Sequence, residues 1–127
     1  MNREYKIHLG EQLIGTTMLE KADAPMGVVF GDINCNTEEF NYEFWIRYCQ
    51  RNSIELAMNE PEQKMLSTRS IAELKVTNSE SGNILQPLSN QITVMDGDSY
   101  EITLEGINSA QMISEFSHHL DEYNKRF

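Results

Sequence analysis

Apolar residues in this chain fall into two periods, and the switches between them mark its elements. Tyr5, Ile7 and Leu9 alternate with Lys6 and His8, the period of two expected of a strand with one buried face. Gly10-Glu11-Gln12 supplies a turn, and a second run over residues 13–19 completes an N-terminal hairpin. Residues 21–25 read as a loop, which Pro25-Met26-Gly27 closes. Val28-Val29-Phe30 lies between Gly27 and Gly31 and reads either as a short buried strand or as a tightly packed loop. Glycines at both ends point to a bend where backbone approaches backbone.

The period then lengthens. Phe40, Phe44 and Tyr48 recur at i, i+4 and i+8, and Trp45 and Cys49 extend the same face. Asn36 or Thr37 can cap this run, with Glu38 and Glu39 in a first turn that favours anions. Arg47 and Arg51 stand toward its other end. The spacing predicts a helix over residues 38–51. Phe40, Tyr42, Phe44 and Ile46 also alternate with period two, but length and the acidic cap favour the helix.

Residues 54–58 read as a strand, 59–62 as a turn around Pro61, and 65–70 carry no clear period. A strand is expected over 71–77 from Ile71, Leu74 and Val76, followed by the plainest loop of the chain at 78–83. Ile92 and Val94, then Asp96-Gly97-Asp98, then Tyr100, Ile102 and Leu104 give the strongest hairpin signal, with Thr93, Glu101 and Thr103 on its polar face. Asn108 or Ser109 caps a last helix. Its apolar stripe is Met112, Ile113, Phe116, Leu120 and Tyr123, opposed by Gln111, Glu115, His118, Glu122 and Lys125. The expected fold class is α+β: a mostly antiparallel β-sheet of roughly five to seven strands with two helices packed on it, in a single domain over residues 1–127.

Composition narrows the functional classes. The 127 residues include 20 acidic and 10 basic side chains, a formal net charge of −10. That balance disfavours nucleic acid and suits a basic protein partner. With 39% apolar residues the chain is a folding sequence, not an acidic tail. No apolar run reaches bilayer-spanning length, and the first six residues carry charge on both sides of Tyr5 without an apolar segment. No membrane association and no secretory leader are therefore expected. A cytoplasmic location is expected, with Cys35 and Cys49 as free thiols and a Cys35–Cys49 disulfide as the alternative.

Candidate chemistry is sparse. Asp96 and Asp98 flank a turn glycine but lack the ligand ladder and closing glutamate of a calcium loop. His118 and His119 are adjacent on a helix and diverge by about 100°, a poor arrangement for one metal; His118 is expected to face water. There is no Gly-x-Ser-x-Gly, and Cys49 lies among aromatic residues while Cys35 has no neighbouring cation to activate it. The run from Gly27 to Gly31 has neither the spacing nor the lysine of a phosphate loop. No enzymatic activity, metal or cofactor is expected. What remains is the carboxylates, which read either as a solvated surface or as one complementary to a cationic protein. Charge and turn position single out Glu38, Glu39, Glu43, Asp96, Asp98 and Glu101 as partner contacts, with Tyr100 or Trp45 as aromatic anchors.

At Glu20-Lys21-Ala22-Asp23-Ala24-Pro25-Met26-Gly27-Val28-Val29-Phe30-Gly31 the chain resembles a group of small bacterial proteins with an acid-x-Pro-Met-Gly-Val-x-x-Gly pattern. In that group a hairpin with a Leu-Ile-Gly segment (here Leu13-Ile14-Gly15) precedes the pattern and a helix follows it. The likeness continues at Asp98-Ser99-Tyr100-Glu101-Ile102-Thr103-Leu104-Glu105-Gly106-Ile107 and covers about half of the chain. Proteins of this kind resemble immunity partners of bacterial toxins, as in contact-dependent growth inhibition. The resemblance implies an immunity or inhibitor protein that binds a basic toxin domain, with a nuclease as the expected kind, and blocks it by occlusion. An interaction module without a toxin remains an alternative, as does a small ligand-binding protein or enzyme. The Pro-Met-Gly segment also reads as a packing device in which Pro fixes φ, Met fills a gap and Gly allows close approach.

Overall fold

The computed structural model describes residues 3–126; Met1, Asn2 and Phe127 lie outside the described residues. It is an α+β fold. Its strands are β1 (Tyr5–Leu9), β2 (Gln12–Thr17), β3 (Lys21–Asp23), β4 (Val28–Cys35), β5 (Leu56–Glu60), β6 (Met65–Thr68), β7 (Leu74–Asn78), β8 (Ser89–Met95) and β9 (Ser99–Glu105). The helices are α1 (Tyr42–Arg51) and α2 (Ser109–Arg126). All strand pairs are antiparallel, in the order β5-β6-β8-β9-β4-β2-β1-β7, with β3 also on β4. β4 joins the two halves: its first part pairs with β3 and β9, and its last three residues pair with β2.

Alternation places the core. Tyr5, Ile7 and Leu9, then Ile92, Val94, Ile102 and Leu104, point inward, while Thr93, Glu101 and Thr103 line the other face. α1 contributes Trp45 and Cys49 to this core and α2 contributes Met112 and Phe116, with Phe116 stacked on Tyr5 at 5.8 Å.

Among the described residues nine strands form where five to seven were expected. β3 occupies the presumed loop at 21–25, and β6 the stretch without a period. The strand expected from Ile71 begins only at Leu74, because Asn90 takes the Ile71 backbone instead. Its Oδ1 accepts from Ile71 N at 2.9 Å and its Nδ2 donates to Ile71 O at 3.0 Å.

The first helix also starts later than expected. Asn41, not Asn36 or Thr37, is its N-cap, accepting from Phe44 N at 3.1 Å. Asp96 accepts from Tyr42 N at 2.9 Å, so a distant hairpin satisfies another N-terminal donor. Glu38 and Glu39 therefore lie in the preceding turn, and Glu43 is the acidic residue of the first helical turn. Asn108 caps α2 through Gln111 N at 2.8 Å. A kink at Phe116 (φ −124°, ψ 31°) then divides this helix.

Two hairpins flank the central β8–β9 pair, each closed by its own turn of the same kind. A 3-10 turn, Ala24–Met26, leads through left-handed Gly27 (φ 66°) from β3 to β4. A second, Pro61–Gln63, leads through left-handed Lys64 (φ 49°) from β5 to β6. At Gly27 the glycine is required twice over: φ is positive, and a Cβ would sit 2.6 Å from the Ile107 carbonyl oxygen. Ile107 N donates to Gly27 O at 2.9 Å, so the Pro-Met-Gly and Gly-Ile segments, far apart in sequence, meet here. Met26 does not fill a gap as expected. The 3-10 turn points it outward, and it is 69% exposed.

Candidate partner-binding surfaces

One end of the sheet gathers most of the sequence-selected residues. The turn after β4 carries Glu38 and Glu39, and the β8–β9 hairpin carries Asp96, Asp98 and Tyr100. Glu38, Asp96 and Tyr100 line a shallow cleft of about 570 Å³ with Cys35 and Asn41. Asp96 organises this end. Besides Tyr42 N, its Oδ1 accepts from the Tyr100 hydroxyl at 3.0 Å, and its backbone N donates to Lys64 O at 3.1 Å. Burial and then the bond to Asp96, with the nearby carboxylate charges, push the Tyr100 phenol up to about 12. Tyr100 is thus a neutral donor tied to Asp96. Glu39, Glu43 and Asp98 are exposed and are not among the residues that line the cleft.

Two of the selected residues part from this group. Glu101 follows Tyr100 on β9 and so faces the opposite side of the sheet, where it lines a groove of about 870 Å³ between β3, β4 and the end of α2. Trp45 is no surface anchor: it is 2% exposed, packed edge-on against Phe44 at 5.2 Å and Tyr48 at 5.9 Å. Its place on the same helix face as Cys49 buries it, as a core position would.

Cys35 and Cys49 are free, and burial pushes both thiols up. His119 Nε2 donates to Leu19 O at 2.8 Å and clasps a fully buried leucine held at φ 42°. His118, expected to face water, is partly buried where the kinked helix packs. Burial, then the charges of His119 and Arg3, lower its pKa.

The one deeply buried charged side chain among the described residues is not one that the sequence singles out. Glu115 was placed on the wet face of the last helix, yet it is 3% exposed. Its Oε2 accepts from Asn78 Nδ2 at 2.9 Å, Tyr5 OH at 3.1 Å and Arg3 Nη1 at 3.2 Å, and its Oε1 accepts from Asn83 Nδ2 at 3.2 Å. Burial alone pushes this carboxyl up, but the bonds from Asn78, Asn83 and Tyr5 and the Arg3 charge outweigh it, and the net shift is downward. Burial, followed by the Glu115 charge and hydrogen bond, raises the Tyr5 phenol. The network joins α2 to β1, β7 and the loop beyond β7. Its signal in the sequence was spacing: Met112, Glu115, Phe116 and His119 fall at i, i+3, i+4 and i+7, and only the charge of Glu115 argued otherwise.

No helix among the described residues is long and apolar enough to cross a membrane. No family model, curated protein or solved structure matches the chain.

Proposed function

We propose that this chain is an immunity or inhibitor protein that binds a basic toxin domain, a nuclease being the expected kind, and blocks it by occlusion. One observation carries the reading. All but Asp96, Glu101 and Glu115 of the twenty carboxylates are exposed, and only two ion pairs, Arg3–Glu115 and Arg126–Glu122, form among the described residues. The surface charge is therefore not consumed internally. It repels itself, and a cationic partner relieves that repulsion. Such a field steers encounter and rejects anionic competitors. Carboxylates at Glu38, Glu39, Glu43 and Asp98, together with Glu101 in its groove, would take positions that substrate phosphates otherwise occupy on a nuclease. Asp96 and Tyr100 act differently here. They are bonded to each other and hold the cleft in shape.

The test is co-expression with the product of the reading frame immediately upstream, followed by size-exclusion chromatography of the mixture at rising salt. A stable complex that weakens as salt rises, and that suppresses the neighbour's toxicity, is the expected result. Absence of a complex, or one indifferent to ionic strength, overturns the reading.

A further inference from the structure

We propose that the partner is anchored at the Pro-Met-Gly end of the sheet, by an exposed apolar face around Met26, Leu88 and Ile113 and the acidic groove beside it. This rests on the basic-partner reading above and adds a second contact surface, at the opposite end of β9 from Glu38 and Asp98. The occupant is a cationic protein segment presenting a large apolar side chain next to an arginine or lysine.

Three side chains carry the apolar half. Met26 is 69% exposed, Ile113 64% and Leu88 89%. Scattered singly, such residues would need no explanation. Here Met26 and Ile113 line one shallow groove of about 350 Å³ with Pro25, Ile107, Met112 and Leu120. Leu88 lies over Gly106, the neighbour of Ile107, so closely that a Cβ on Gly106 would fall 2.7 Å from it. Each is held on a built frame: Met26 by the 3-10 turn and the Gly27–Ile107 bond, Leu88 by its N–H to Glu105 O at 2.8 Å, Ile113 by the capped helix. A face already ordered loses little freedom on binding.

The charged half adjoins it. Ala24 and α2 border both grooves. The larger groove carries Glu20, Asp23, Glu101 and Glu122 around Phe30, against Lys21 and Arg126, the latter paired with Glu122 at 3.7 Å, so its formal balance stays acidic. Lys21 Nζ stands over the Phe30 ring, 5.9 Å from its centroid, so the chain's own cation already uses this aromatic face. The formal charge of −10 opposes a second copy as the occupant and favours a cationic one. An apolar centre with a charged rim is the ordinary anatomy of a protein interface.

A random dodecapeptide display library, panned on the immobilised wild-type chain, supplies the probe. Enriched peptides should combine an aromatic or large aliphatic residue with Arg or Lys. Their affinity should fall about tenfold or more in M26D/I113D and in E101K, and stay within about twofold in E11Q, a charge change in the distant first turn. Thermal melts of M26D/I113D and E11Q should match wild type, because those side chains are mostly solvated, and E101K, at a half-buried position, is compared at temperatures where its own melt shows it folded. Failure to enrich any peptide, or binding that survives M26D/I113D, overturns the proposed anchor while the salt titration above still decides the basic-partner reading. Peptides that bind this face without basic residues contradict both. A wild-type dimer by light scattering that M26D/I113D dissolves would make a second copy the occupant and also overturn it.

Discussion

Glu115→Gln isolates the charge that holds α2 to the sheet. The substitution keeps the shape of the side chain, but the acceptors become a neutral amide. In the better orientation the amide oxygen keeps Tyr5, Asn78 and Arg3, and the new NH2 turns toward Asn83. Hydrogen bonds to a charged group contribute about 1.5–3 kcal/mol and neutral ones about 1. The bond from Arg3, which is 31% exposed, is discounted for solvent screening. The loss comes to about 2–3 kcal/mol, a large share of the roughly 5–15 kcal/mol of a typical domain. Urea unfolding should show that loss with an unchanged m-value, and the melting temperature should fall by roughly 6–10 °C. The pH dependence carries the sign. The folded carboxyl is held below its ordinary range, so the unfolded chain binds the proton more readily. The stabilisation is present above the ordinary glutamate range and is lost as pH falls through the lowered value. Wild type and Glu115→Gln should therefore converge in stability only as pH falls below the ordinary glutamate range and through that lowered value. A difference under about 1 kcal/mol at neutral pH, or one that persists undiminished into acid, refutes the network as the latch of this helix.

The two matching turns should respond with opposite signs to substitution at the left-handed residue. Lys64→Gly removes the cost of a side chain at φ 49° and should stabilise by about 0.5–1 kcal/mol in urea unfolding. Gly27→Ala adds that cost and drives a methyl against the Ile107 carbonyl; the same assay should show a loss of about 2–4 kcal/mol. Asp96→Ala removes the acceptor shared by Tyr42 N and Tyr100 and should cost about 1–2 kcal/mol. In a spectrophotometric titration of that variant the Tyr100 phenol should move from about 12 toward, but not to, 10, because burial persists.

Strands with one wet face were legible because their alternation is unbroken: the β8–β9 hairpin and β1 fall where Ile92, Val94, Ile102, Leu104 and Tyr5 put them. β6 was not, because Leu66 and Thr68 are the only inward residues of a four-residue strand and one of them is polar. α1 lost its first turn to tertiary contacts, since the acceptor that satisfies Tyr42 N comes from Asp96, more than fifty residues away. The candidate site was legible only in part. Charge singled out Glu38, Asp96 and Asp98 without saying that they meet; the fold brings them to neighbouring turns, strand alternation sends Glu101 to the other side, and helix packing buries Trp45. Met26 was misread because composition does not say which way a 3-10 turn points its last residue.

The most direct measurement is the dissociation constant of the chain with its proposed toxin partner, the product of the reading frame immediately upstream, taken at about 50 mM and about 300 mM salt. Carboxylates that meet a cationic surface require a loss of affinity of roughly tenfold or more over that interval, expressed mainly as slower association. Equal constants at both concentrations would contradict the electrostatic account.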